Sequence, residues 1–256
     1  MIRIAAVGDV HAGLDSRGRV APGFADVDER ADLLLLAGDL TRCGTPEETA
    51  VFADELAGLS IPKLAVLGNH DHHDGRPEAV AAVLVEREIL VLEGNAAVVE
   101  VRGTRLGIAG VKGFGGGFAG ASGSAFGEAE MKAFMHHTMD VCDRLEDALA
   151  GLDDVDLRVA LLHYSPIPET LWGERLEIYP FLGSYLLAEA VDRAGAHLVF
   201  HGHAHAGTER GETPGGVPVR NVAQPVLGAA YGVYALPTDG SLAFHAAAAG
   251  VPRHIG

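Results

Sequence analysis

The sequence has little cysteine, no long apolar run and a shortage of positive charge. Its two cysteines, Cys43 and Cys142, stand far apart and in neither metal-binding nor redox spacing. No disulfide framework or thiolate-only metal site is expected, and a reducing cytoplasm is the natural setting. The longest apolar run, Leu33 to Ala37, is far too short to cross a bilayer. The chain enters a strand-like segment at Ile2 without the basic stretch, apolar core and cleavage site of a secretory leader. Lys and Arg number 19 against 35 Asp and Glu, a formal charge of −16, and the basic residues are scattered. Such a surface repels polynucleotide backbones and anionic lipid. Long nucleic acid and membranes are therefore poor partners, whereas a small anion drawn to a local positive site is not excluded.

What is present is an alternation of short apolar runs and helix-like segments over 256 residues, enough for one large α/β domain. The runs Ile2–Val7, 33–37, 64–67, 106–111, 157–162 and 198–200 are nearly continuous in apolar residues, which suits strands buried on both faces. Thr45 reads as an N-cap, Pro46 as the first helical position and Glu48 as completing a capping box. Helices are expected over 128–149 and 184–193. A hairpin is expected where Arg102-Gly103-Thr104-Arg105 separates 96–101 from 106–111. Beyond His205 the pattern turns to β, at 217–222, 231–236 and, after a Pro237–Gly240 turn, 242–246. Without internal repeat or linker, residues 1–256 read as a single domain.

Five polar clusters follow directly on five of the runs: Gly8-Asp9-Val10-His11, Gly38-Asp39, Gly68-Asn69-His70-Asp71, His163, and Gly202-His203-Ala204-His205. In open α/β sheets the carboxyl ends of strands line the ligand crevice. Five separate segments would thus deliver Asp, Asn and His to one edge. Residues i and i+2 of an extended segment point the same way, which pairs Asp9 with His11 and His203 with His205. Carboxylate, imidazole and amide oxygen together suit manganese, iron, zinc or cobalt. Seven candidate ligands also exceed what one open catalytic zinc needs. Taken singly, a Gly-Asp is a turn or cap and a strand-end histidine a hydrogen-bonded residue. Chance is a poor account of all five in one order.

These motifs, in this order, resemble the calcineurin-like metallophosphoesterase superfamily, and the resemblance spans Asp9 to His205. It implies a four-layer αββα sandwich of two mixed sheets, with the metal site at the carboxyl ends of the strands. It also implies two divalent transition-metal ions, one held by Asp9, His11, Asp39 and His205, the other by Asp39, Asn69, His163 and His203, with Asp39 as the bridge. His70 matches the family's catalytic histidine, which is not a ligand. One departure is that Leu40-Thr41-Arg42 follows Gly38-Asp39 where the family often carries a further acid; that acid is not a ligand.

The activity so implied is hydrolysis of a phosphoester, by in-line attack of a hydroxide held between the ions. His70 would stabilise the equatorial oxygens or protonate the leaving alkoxide, and Asp71 would hold the His70 ring in orientation. With the ions bound the centre carries about +1, enough to attract one phosphate to an acidic protein. A small phosphodiester is the expected substrate. A monoester or nucleotide, a nuclease substrate, and a non-catalytic scaffold that keeps the fold are the alternatives. Several residues stay open. Gly113–Gly120 reads as a mobile surface loop or a flap beside the site. His72 and His73 are loop or rim histidines, and Tyr164 lines the pocket or packs in a loop. Trp172 and Tyr179 could stack on a leaving group. His201 should turn away from the site, and His136 and His137 should lie on a helix surface.

Overall fold

The computed structural model describes residues 1–238. Strands β1 (Ile2–Val7), β2 (Leu33–Ala37), β3 (Lys63–Val66), β4 (Ile89–Val91), β5 (Asn95–Val101) and β6 (Thr104–Val111) occupy the first half. There follow the two-residue strands β7 (Gly117–Phe118) and β8 (Ala121–Ser122), then β9 (Leu157–Leu162), β10 (Leu198–His201), β11 (Arg210–Glu212), β12 (Pro218–Asn221) and β13 (Gly232–Leu236). One large sheet has the order β13-β1-β2-β3-β4 and the other β11-β12-β10-β9-β6-β5. Both are mixed: β1, β2, β3 and β4 run parallel while β13 is antiparallel to β1, and β5 and β11 are antiparallel additions to a parallel centre.

The period-2 alternation of each strand explains the layering. Ile2, Ile4 and Ala6 of β1 and Leu33, Leu35 and Ala37 of β2 face Ile108, Val159, Leu161 and Phe200 of the other sheet in a shared core. The intervening Ala5, Val7, Leu34 and Leu36 face outward and meet Phe52 and Leu56 at the helix Pro46–Glu55 and Val80 and Leu84 of the helix Pro77–Glu86. On the far side, Val111, Ala160, Leu162 and Val199 pack beneath the helices Ala129–Ala150 and Tyr185–Arg193. Strands apolar on both faces are what two helix layers and a sheet–sheet core require. The fold is the expected αββα sandwich. Among the described residues no helix is long and apolar enough to cross a membrane.

Local details refine the sequence reading. Thr45 caps its helix by accepting from Glu48 N at 3.2 Å, but Glu48 does not close a capping box. Its carboxylate instead accepts from Cys43 N at 2.7 Å, because the preceding loop folds back over the helix start. The β5–β6 hairpin turns at Arg102 and Gly103, both with positive φ, the mark of a tight turn matched to strand twist. The expected strand at 242–246 lies outside the described residues.

Gly113–Phe118 is not a surface loop. Most of it is buried, with Gly116 N donating to Pro180 O at 2.7 Å and Gly117 N to Gly183 O at 2.9 Å. A side chain at Gly115 would meet Pro180 O at 2.5 Å, so packing against the 180–184 segment accounts for that glycine.

Candidate metal centre

The loops after β1, β2, β3, β9 and β10 converge at one edge of the sandwich. Asp9, His11, Asp39 and His205 form one group of potential ligands and Asp39, His163 and His203 another, with the ligand atoms of each within 4.8 Å of one another. Asp39 belongs to both. Asn69 joins the second group, its Oδ1 lying 2.9 Å from His163 Nε2. All seven residues singled out from the sequence meet here.

The backbone is bent to bring them together. Asp9, His11, Asp39 and His203 have φ of 58°, 49°, 50° and 69°, a left-handed conformation that side-chain-bearing residues seldom adopt. Such strain persists where the surroundings over-determine it, and it clusters at functional sites. Two motif glycines are needed for a different reason. A methyl group on Gly68 would collide with Asp39 Oδ1, and one on Gly202 with Asp9 Oδ2. Each motif's glycine thus clears space for another motif's carboxylate.

The chemistry of the donors fits a divalent cation. His163 Nδ1–H donates to Ala37 O at 2.9 Å, so Nε2 presents a lone pair. That lone pair faces Asn69 Oδ1 at 2.9 Å and Asp39 Oδ1 at 3.3 Å. Three acceptors converge, an arrangement that a bound cation resolves. Burial keeps two of the imidazoles neutral: it pushes His203 down to about 3 and His163 well below the ordinary histidine range. Burial also pushes the Asp9 carboxyl up to about 6, opposed by the His205 hydrogen bond and reinforced by Asp39. His205 is raised by that bond to Asp9, at 2.8 Å. The buried Asp9 carboxylate, short of counter-charge, gains from a cation bound between it and the neighbouring imidazoles.

His70 sits at the mouth. Its backbone N–H donates to Asp39 Oδ1 at 2.8 Å, and its ring Nδ1–H donates to Arg42 O at 2.8 Å. Nε2 is left 4.0 Å from Asp39 Oδ2 on a side chain that is 42 % exposed. The expectation that Asp71 orients this ring is corrected. Asp71 is fully buried and accepts from Leu40 N, Thr41 N, Thr41 Oγ1 and Gly68 N at 2.6 to 3.2 Å. In the turn that follows Asn69, consecutive side chains diverge, so Asp71 points into the protein and the Arg42 carbonyl orients His70.

The family model described as calcineurin-like phosphoesterase matches residues 2–207. The chain belongs to the calcineurin-like phosphoesterase family. It is 38% identical over 63 residues to glycerophosphodiester phosphodiesterase GpdQ of Enterobacter lignolyticus, covering 25% of this chain and 22% of that one. It is 34% identical over 80 residues to a probable cyclic nucleotide phosphodiesterase of Synechococcus sp., covering 27% and 31%. The chain thus matches less than a third of the length of either curated relative. Among solved structures the fold is similar to phosphopantetheinyl hydrolase from Mycobacterium tuberculosis, with a TM-score of 0.62, 17% identity and coverage of 86% and 88%. It is also similar to TT1561 of Thermus thermophilus, with a TM-score of 0.57, 17% identity and coverage of 96% and 97%.

His201 is buried and turned away from the centre, with Nδ1 donating to Gly202 O at 2.7 Å and Nε2 2.8 Å from Thr170 Oγ1. Tyr164 is buried, its ring 4.2 Å from that of His203, and so walls the site. Trp172 is 62% exposed, and Tyr179 donates to Leu171 O. His73 and His136 are exposed. Sequence reasoning missed Lys112, which directly follows β6 and is buried beside Tyr164. A lysine at the end of a buried strand was the available signal.

Proposed function

We propose that this chain hydrolyses a small phosphodiester at a centre of two divalent transition-metal ions. Asp9, His11, Asp39 and His205 would hold one, and Asp39, Asn69, His163 and His203 the other. The observation that carries this reading is the Asp39 carboxylate, common to two ligand groups and fixed by the His70 N–H. Manganese, iron, zinc and cobalt all match the donor set. Such ions, when bound, polarise a phosphoryl group and make water nucleophilic near neutral pH.

The chain's own residues supply position and a proton. His70 Nδ1–H is committed to the Arg42 carbonyl, so Nε2 donates to a leaving alkoxide when the ring is protonated. Tyr164 and the Phe181 carbonyl, 3.2 Å from His203 Nε2, hold the His203 ring in place. Both curated relatives carry phosphodiesterase names, which favours a diester over a monoester. The charge of −16 opposes a polyanion, because each backbone phosphate needs its own Lys or Arg. The test compares kcat/KM for bis(p-nitrophenyl) phosphate, p-nitrophenyl phosphate, cyclic nucleotides and single-stranded DNA after manganese loading. The aryl diester should lead, and preference for DNA would replace this reading with a nuclease.

A further inference from the structure

A cavity of about 510 Å³ opens beside the second ligand group. Asn69 and Tyr164 form the wall it shares with the metal centre, and Lys112, Arg144, His72 and His137 line the rest. Its volume falls in the range of small-molecule sites. Lys112 is 9% exposed, and buried lysines are rare without an anionic partner. Its Nζ donates to Gly113 O at 3.2 Å and lies 4.8 and 5.1 Å from the centres of the Phe114 and Tyr164 rings. Among the described residues no carboxylate lies within ion-pair distance of it. An ammonium has three donors, and one is used. His72 Nε2, also on this cavity, is buried and meets no hydrogen-bond partner among the described residues.

The charges leave the cavity positive. Glu93 pairs with Arg144 at 3.2 Å and accepts from Lys112 N at 3.3 Å. Lys112 and Arg144 against Glu93 leave one net positive charge, in a protein otherwise strongly negative. Lys112, the buried one of the two cations, lies 5.1 Å from the centre of the Tyr164 ring, which walls the metal centre.

We infer that this cavity binds a second anionic group, a carboxylate or phosphate, carried by one alcohol of the phosphoester, with Lys112 as the specificity-determining residue. The inference rests on the phosphoesterase reading. An ester with a tail ending in an oxyanion would place its scissile phosphate at the metals and its tail on Lys112, with His72 Nε2 and Arg144 alongside. A neutral tail would leave the Lys112 ammonium as it stands and gain nothing from it.

The probes are alkyl phosphonates of two to five carbons ending in methyl, carboxylate or phosphate. They are titrated calorimetrically into manganese-loaded protein, with metal content checked after each run. At the best chain length the anionic tails should bind about 10- to 100-fold tighter than methyl, the range of charge-assisted hydrogen bonds. The stronger of the two anionic arms identifies the group. Lys112→Met should bring the ratio close to one. Arg144→Gln, on a side chain 45% exposed, cancels the net charge and should cut the ratio several-fold. Equal binding of all three tails to the unaltered protein overturns the inference, as does a ratio that survives both substitutions. Hydrolysis is a separate readout. Tail-dependent binding without turnover on any ester defeats the phosphoesterase reading alone, and turnover without tail preference defeats the cavity alone.

Discussion

Asp71→Ala is the substitution that best separates a clamp from a catalytic role. The Asp71 carboxylate ties the loop after β2 to the loop after β3 through three backbone N–H groups and the Thr41 hydroxyl. Those loops carry Asp39 and Asn69, so their spacing sets the second ligand group. Hydrogen bonds to a charged acceptor contribute ~1.5–3 kcal/mol each. Against them stands the cost of burying the charge: burial pushes the Asp71 carboxyl up to about 6, an offset of about 3 kcal/mol over its ordinary value. Removing the side chain also leaves buried donors unpaired. The expected loss is about 3–5 kcal/mol, the range for breaking a buried charged network. Urea unfolding of the metal-free protein measures it, and elemental analysis should show both ions weakened. If Asp71 instead oriented His70, turnover would fall while stability and metal content held. An unfolding free energy within about 1 kcal/mol of the parent would refute the clamp.

Three other outcomes follow from the same geometry. His70→Ala should keep the metals and lower turnover by ~10²–10⁴, whereas Asp39→Ala should lose both metals and activity; steady-state kinetics with metal analysis checks both. Gly202→Ala places a methyl group against Asp9 Oδ2, and metal affinity by calorimetry should drop by ~10-fold or more. His201 is fully buried, and burial lowers it to about 3, so its contribution to stability is complete above about pH 6.5 and is lost as pH falls toward 3. Between pH 7.5 and 5 the parent should therefore lose about 2 kcal/mol more stability than His201→Gln by urea titration. Equal losses would contradict the assignment.

The centre was legible because each of its motifs is local: a buried strand with a polar residue at its end, in four of the five after a glycine. Strands β1, β2 and β9 match their apolar runs residue for residue, since hydrophobic burial on both faces leaves little choice of boundary. What escaped the sequence depends on contacts distant in the chain. Three of the four donors to Asp71 lie about 30 residues away, so its adjacency to His70 suggested the wrong role. The Gly113–Phe118 segment looked mobile because its glycines are many, and it is packed because Pro180 to Ser184 closes over it. Lys112 carries no motif, and only the fold places it next to Asn69 and Tyr164. His137 is a helix-surface histidine, as its position suggests, yet its ring lies edge-on to Phe114 at 4.6 Å on the wall of that cavity.

The proposed shared carboxylate of Asp39 is tested most directly by titrating the metal-free protein with manganese and following the electron paramagnetic resonance signal. Two ligand groups with one bridging residue predict uptake of two ions per chain, with a spin-coupled spectrum as the second binds. Asp39→Ala should lose that coupled signal. Saturation at one ion per chain, or two ions with no magnetic coupling, would contradict the dinuclear centre.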